Sequence, residues 1–417
     1  MAAYPAIFDA SQAELKELLR SLLELDKKSE ARNLLYSHYS LSLRNAVSAV
    51  FLSPNFDNPT FDLYQQLLAN VSRFSAFKAQ HVLDELLDIP PDKDPSLHIS
   101  DVINKFNRYQ AAEYNAATAR ARSAKQWADW DNDPILSELY PNIRWLPSRS
   151  ANPRPEHQAF YGLVLPRNDP FWQHNQPGNL WNCKCDWEPT DSNTSRASIS
   201  KADLNKARRH SSAEKGLEGN PAASGHIFSN KASYFHNATK AQSKAADSFF
   251  YPIAEHHEQY VSLLKDQDYT DQHFNWDNGG LKATHKDHNF DMVGGEYELH
   301  VVEAAFSSGV AVILAKEVGP TLNFRFVEGT WNGASFEVAG RETATANNVL
   351  RGLKHCASKR TTKIAVLDYP NGGFDETILL RAIDRYKGLK KLNDGQYVPF
   401  EKIICVQNKK IIYEVSL

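Results

Sequence analysis

The residues with the most distinctive chemistry in this chain are two cysteines separated by one position, in the run Trp181-Asn182-Cys183-Lys184-Cys185. A tight turn at that point presents two sulfurs side by side, too close in sequence for an ordinary structural disulfide. His157, roughly two dozen residues upstream, offers an imidazole. Two thiolates and one imidazole make a soft donor set of the kind that holds a structural Zn2+ and staples a loop-rich segment. Asp169 and His174 are the nearby candidates for a fourth ligand. The competing reading makes Cys183 and Cys185 buried small apolar side chains without a ligand role, and the sequence leaves both open.

The segment that must carry these residues, Pro141 to Pro189, is rich in prolines, tryptophans and short polar turns and has little periodicity, so specific contacts must hold it. Within it, Asp169-Pro170-Phe171-Trp172 reads as a turn. Asp169 satisfies backbone N–H groups there, and the two aromatics dock on the preceding helices.

Upstream the texture is helical. Ser11-Gln12-Ala13-Glu14 is a capping box ahead of Leu15, Leu18, Leu19, Leu22 and Leu23 at helical spacing. The next predicted helix starts after Pro59-Thr60, buries Phe61, Tyr64, Leu68, Val71 and Phe74, and stops before Pro90-Pro91. A long third helix is predicted from a Ser100 cap to Trp130, with Arg120, Arg122 and Lys125 suiting the dipole of its C-terminal end.

Residues 190 to 250, rich in Ser, Ala, Asn and Lys, read as part helix and part extended linker, with Lys206, Arg208 and Arg209 on a solvated face. After about Tyr251 the pattern turns α/β. Strands are predicted at Val310 to Leu314, Phe324 to Val327, Phe336 to Val338 and Lys363 to Leu367, with a helix from Asp375 to Tyr386. A hairpin then joins Lys402 to Val406 with Ile411 to Val415 around Asn408, both strands central or near-central in the sheet.

The chain of 417 residues is too long for one core. The expected fold is multidomain: a mainly α-helical, loop-rich N-terminal region followed by an α/β domain with a mixed sheet. The expected divisions are 1–95 helical, 96–250 carrying the His/Cys-Lys-Cys loop, and 251–417 α/β. A net charge of −3 gives no general attraction to nucleic acid, so any such contact needs a local patch. No apolar run approaches the roughly 18 residues of a membrane helix. Met1 to Ala10 lacks the pattern of a secretory leader, which predicts synthesis in the cytoplasm.

From about residue 100 to 235 the chain resembles the phage head morphogenesis, or Mu F-like minor head, proteins. The resemblance rests on Ala112-Glu113-Tyr114-Asn115 with Thr118-Ala119, Trp127, Arg154, His157, Gly162, Asp169 to Trp172, and Trp181 to Cys185. It extends through Gly216-Leu217, Asn220-Pro221 and Gly225-His226-Ile227-Phe228. Ser150 stands where an acid is usual, Tyr161 where Asp precedes the glycine, and Lys184 where an Arg separates the cysteines. The resemblance implies a structural role in the virion, in few copies at the portal or inside the capsid, with portal and capsid proteins as partners and no catalysis in this region.

From about Asn275 to Leu417 the chain resembles the C-terminal tRNase domains of contact-dependent growth inhibition toxins, which implies a restriction-endonuclease-like fold. The matching elements are Gly279-Gly280-Leu281-Lys282, His285, His288, Tyr297-Glu298, Val310 to Glu317, Phe336-Glu337 and the strand ending at Asp368. The resemblance implies carboxylates holding Mg2+, here Glu298, Glu317 and Glu337, with a lysine beside them, acting on tRNA or DNA. Asn323 stands where an Asp is expected and Glu337 is followed by Val338-Ala339 with no lysine. Glu328 is the substitute acid and Arg341 or Lys354 the substitute cation. Without metal, His285 and His288 would serve as an acid/base pair on RNA; otherwise residues 284–289 are a polar surface loop. The adjacent pairs His256-His257 and His355-Cys356 are assigned no role. The expected whole is a minor head protein with a fused nuclease-like tail domain; the alternatives are a phage-delivered or prophage-encoded toxin whose tail is an active tRNA or DNA nuclease, and a degenerate nuclease fold kept for protein contacts.

Overall fold

The structure is a computed structural model that describes residues 12–153, 155–195, 213–291, 294–316, 327–341, 345–359 and 361–417. Two compact units divide the chain, Met1–Phe250 and Tyr251–Leu417. Among the described residues no helix is long and apolar enough to cross a membrane.

The first unit is built on four helices, α1 (Gln12–Glu24), α2 (Lys28–Phe51), α3 (Phe61–Leu87) and α4 (Pro95–Asn132). In α1 Leu15 and Leu19 are buried while Leu18 is exposed; the Ser11 of the predicted capping box lies outside the described residues. All five apolar residues expected of the helix after Thr60 are buried in α3. The periodicity did not reveal α2, because it packs against both α3 and α4. Its buried set, which includes Ser42, Leu43 and Arg44 in succession, has no single stripe. The long helix starts earlier than Ser100: the Asp94 side chain accepts the Leu97 N–H at 2.9 Å and Pro95 occupies the first turn, where a missing N–H costs nothing.

Between α3 and α4 a buried ammonium, Lys78, meets Glu113 at 2.6 Å and the face of Tyr39 at 4.2 Å, and the Tyr234 hydroxyl donates to the same carboxylate at 3.2 Å. Removing one partner here would strand a charge in the core.

The stretch expected to be partly a linker packs on these helices instead, where it is described. Phe228 stacks on Phe74 at 4.0 Å, and Asn70 both donates to the Phe228 carbonyl and accepts its N–H. Arg120 was expected to face the helix dipole. It is fully buried instead, and its guanidinium donates to the carbonyls of Leu217 (2.6 Å), Ile227 (2.7 Å), Gly219, Glu218 and His226. One rigid fork thus satisfies the backbone of a turn-rich segment that makes few ladder bonds of its own. Burial lowers the Arg120 pKa to about 10 while Glu218 opposes the shift. Lys206, Arg208 and Arg209 lie outside the described residues.

Residues 141–190 form a three-stranded antiparallel sheet in the order β2-β1-β3, from β1 (Asn142–Leu146), β2 (Val164–Pro166) and β3 (Asp186–Thr190). Its core is aromatic: Trp145, Trp187, Phe160, Phe171 and Trp172 pack with Trp130 of α4. Asp169 accepts the Phe171 N–H at 2.9 Å, as the turn reading expects.

A helix, α5 (Lys240–Leu264), has residues in both units. The second unit carries an eight-stranded mixed sheet in the order β11-β10-β9-β8-β7-β6-β5-β4. The strands are β4 (Tyr269–Phe274), β5 (Leu281–His285), β6 (Ala311–Leu314), β7 (Gly329–Trp331), β8 (Ala334–Gly340), β9 (Ile364–Tyr369), β10 (Lys402–Gln407) and β11 (Lys410–Ser416). Helix α6 (Gly295–Ser307) covers one face with Val301, Ala305, Phe336, Val338 and Val366. Helices α7 (Ala346–Ser358) and α8 (Glu376–Lys387) cover the other with Leu353, Leu379, Ala339, Ala365 and Leu367. The period of two along β8 and β9 sets this division. Asn408 and Lys409 both take positive φ, which suits the tight hairpin turn. β11 is a sheet edge, with alternating exposure, and is not the near-central strand expected; of the two hairpin strands it is β10 that is buried along most of its length. Of the strand predicted at Phe324 to Val327, residues 324–326 lie outside the described residues.

Candidate metal centre and carboxylate cluster

In the first unit His157 ends up beside both cysteines. Its helical turn, Pro155–Gln158, follows β1, while Cys183 and Cys185 sit in the turn entering β3. α4 anchors that turn: the Ser123 hydroxyl donates to the Pro177 carbonyl at 2.8 Å, and Gln126 accepts the Trp187 indole N–H at 3.0 Å. Gly178, at φ +93°, lies so close to α4 that a Cβ would stand 3.1 Å from Arg120 Cγ. Asn182 takes a left-handed φ of 60° immediately before Cys183, a conformation that Asn tolerates better than most residues.

The His157 Nδ1 is 3.3 Å from the Cys183 Sγ and 3.6 Å from the Cys185 Sγ. On the far side of the ring Nε2 meets Asn179 Oδ1 at 3.1 Å, and the same amide donates through Nδ2 to the His174 carbonyl at 3.0 Å. His157 and Cys183 are buried and Cys185 is half-buried. The Cys185 N–H points at the Cys183 sulfur at 3.5 Å. Cys183 is drawn well below the usual thiol range by the Cys185 thiol and by His157, against burial, whereas Cys185 is pushed up by Cys183 and by burial.

The two expected fourth ligands are elsewhere. Asp169 holds the Phe171 turn, and His174 is exposed on a different cavity, beside Pro170 and Glu218. The centre instead opens on a cavity of about 250 Å3 lined by Asn115, Ser148, Ser150, Asn152 and Lys184. Arg154 lies outside the described residues.

In the second unit the expected acids separate into two groups with Glu328 between them. His288, Glu298 and Glu328 bring their ligand atoms within 4.8 Å of one another. His288 Nδ1 faces the Ala315 carbonyl at 2.9 Å, so that nitrogen carries the hydrogen, and Nε2 faces Glu298 Oε2 at 3.0 Å. Two acceptors meet there unless a proton or a cation lies between them. Glu337 leaves β8 on the α7 face, fully buried, where Lys359 Nζ and His355 Nε2 each approach its Oε1 at 3.1 Å. Lys359 also lies 3.9 Å from Glu328. Burial, then the charges of Glu337 and Glu298, raise the Glu328 pKa to about 9.

His285 and His288 turn to different partners: the His285 ring packs on Tyr269 and accepts the Asp287 N–H, so the two do not form one acid/base pair. The His288 imidazole is buried, which overturns the surface-loop reading for that residue. Glu317 and Asn323 lie outside the described residues. Neither proposed substitute cation reaches Glu337: Arg341 donates to the Asn348 carbonyl, and the lysine at the carboxylate is Lys359, not Lys354. His355, to which the sequence assigns no role, and Lys359, to which it gives no signal, lie late in and just after α7 and share no local motif with Glu337. Against the sheet end, His300 Nδ1 meets the buried Asp368 at 3.0 Å.

Over 78 residues the chain is 35% identical to "Putative capsid assembly protein F" of Escherichia phage Mu. The aligned part is 19% of this chain and 17% of that protein, so the chain spans under a fifth of the relative's length. No protein-family model matches the chain, and no solved structure matches it.

Proposed function

We infer that this chain is a minor head protein of a tailed phage or prophage, acting in head morphogenesis with portal and capsid proteins as partners and residing in the virion. The observation that carries this reading is the 35% identity over 78 residues to the capsid assembly protein of phage Mu. The geometry agrees with a scaffold role for the first unit. Arg120 and the aromatic core fix a loop-rich surface without a described carboxylate pair in its cavities. Surfaces of that kind, rigid yet irregular, suit specific protein contacts. The test is co-expression with the portal and major capsid proteins of the same genome. The chain should co-sediment with assembled heads, and exclusion from heads that form normally would overturn the reading.

A second reading applies to residues 251–417 and is favoured by the buried acids around Lys359. It takes this unit as a restriction-endonuclease-like hydrolase of tRNA or DNA, delivered with the particle or encoded as a prophage toxin. His288, Glu298 and Glu328 would hold a divalent cation, which supplies charge neutralisation and a more acidic water at a phosphodiester. An imidazole in the set favours Mn2+ beside Mg2+. Lys359, held against Glu337, adds positive charge where the phosphate would sit. Full-length protein incubated with tRNA, RNA and DNA, with and without Mg2+ or Mn2+, should cleave one of them and lose cleavage in Glu328→Gln. No cleavage under any condition, with Glu328→Gln behaving like the parent, contradicts it.

A further inference from the structure

We propose that His157, Cys183 and Cys185 form a three-ligand Zn2+ centre whose fourth coordination position faces the cavity lined by Ser148, Ser150, Asn152 and Asn115 and takes an exchangeable small ligand, water at rest. The inference does not depend on the head or nuclease readings.

The first support is which atom faces the sulfurs. Asn179 uses its NH2 group on the His174 carbonyl, so its oxygen is the atom that meets His157 Nε2 and must accept a hydrogen. Nδ1 is then the nitrogen with the free lone pair, and it is the one aimed at both sulfurs. A single lone pair cannot accept two S–H bonds well, whereas a cation between the three atoms satisfies all of them. Asn179 plays the part commonly given to an outer carboxylate or carbonyl behind a metal-bound histidine, fixing tautomer and ring orientation.

The second support is metric. With Zn–N near 2.0 Å and Zn–S near 2.3 Å, tetrahedral geometry requires nitrogen–sulfur separations of about 3.5 Å. The two separations here are 3.3 and 3.6 Å. The Cys185 N–H directed at the Cys183 sulfur adds a donor that suits a thiolate.

The third support concerns the fourth position. A closed structural site needs a fourth protein ligand, and the described His, Cys, Asp and Glu residues supply a group of three. What borders the ligand atoms instead is a cavity of about 250 Å3, lined by amide, hydroxyl and ammonium groups, roomy enough for water or a small anion. Three protein ligands with one open position is the coordination pattern that exchanges ligands. The described lining has no carboxylate or second imidazole to take a proton from bound water, so the centre is assigned to ligand binding and not to hydrolysis.

The test uses the full chain purified without chelator. Elemental analysis should give one zinc per chain. Cobalt(II) substitution should give tetrahedral d–d bands and a near-ultraviolet thiolate-to-cobalt band sized for two sulfurs, halved in Cys183→Ser and in Cys185→Ser. Because those variants can lose the fold, the decisive arm stays on the parent protein: added imidazole or thiocyanate should shift the d–d bands at millimolar concentration. Failure to take up zinc or cobalt, or a spectrum with fewer than two thiolates, overturns the centre. Bands insensitive to added ligand overturn the open position.

Discussion

The Nδ1 nitrogen of His157 and the Sγ of Cys183 stand 3.3 Å apart, and this contact ties a helical turn after β1 to the turn that enters β3. Between them the chain passes through Gly162, the Asp169 turn and the aromatic core, a path with only one short strand. A segment with so few ladder bonds depends on side chains to hold its turns, here His157 and Asn179 on one side and Arg120 on the other.

Arg120 provides the clearest stability prediction. Arg120→Met keeps much of the volume but leaves buried carbonyls of residues 217–227 without a donor, at a cost of at least about 3 kcal/mol. Arg120→Lys should rescue little, because a point ammonium cannot reproduce the spread of the guanidinium fork. Urea unfolding of the full chain, with limited proteolysis of residues 213–236 as the local readout, checks both. Wild-type resistance in Arg120→Met would contradict the assignment.

Acid should weaken the second unit through His257. Its ring packs 4.3 Å from Trp276 and 5.4 Å from Phe274, and burial lowers its pKa from 6.5 to about 4. The folded state therefore binds this proton less readily than the unfolded chain. The stability involved is present above pH 6.5 and is lost as pH falls from there towards 4, about 3 kcal/mol in all. His257→Phe should flatten that part of the profile, measured as the urea midpoint between pH 7 and pH 4.5. An unchanged slope would show that other groups carry it.

Gly280 is a sharp test of how the start of β5 packs against α6. A Cβ there would stand 2.1 Å from the Phe306 carbonyl oxygen, a backbone atom that cannot step aside. Gly280→Ala should cost about 1–3 kcal/mol or more and loosen β5 against β6. Amide exchange across residues 281–285 and 311–314 should accelerate, and protection equal to wild type would be inconsistent with this packing.

If residues 251–417 hydrolyse nucleic acid, Lys359 and not Lys354 supplies the cation. Lys359→Met should lower the cleavage rate by about 100-fold or more with the fold intact, and Lys354→Met should leave it near wild type. The reverse ranking, read from single-turnover rates at saturating Mn2+, would place the reacting phosphate elsewhere.

Strong periodicity made much of the fold legible. α3 is visible in its stripe from Phe61 to Phe74, and α8 in the segment from Asp375 to Tyr386. The last hairpin was legible in two β-branched runs around Asn408. α2 was hidden because two neighbours bury different sides of it, which erases the stripe. The role of Arg120 was equally invisible, since an arginine late in a helix suits the dipole whether or not a distant loop needs its five donors. At the sites, residue types offered His157, Cys183 and Cys185, whereas Glu298 and Glu337 came from the resemblance to toxin tRNase domains. Partners that arrive through tertiary folding did not show: Asn179 behind His157, and Lys359 and His355 at Glu337. Asp169 has both a turn signal and a place among the candidate fourth ligands, and the structure uses it in the turn.

The most direct measurement is the protein composition of purified particles. Phage heads produced by induction, banded to remove free protein and analysed by quantitative mass spectrometry, should contain peptides from both units of this chain at a few copies per head. Infectious, fully assembled particles without the chain, while it accumulates in the unassembled fraction, would contradict its placement as a minor head protein.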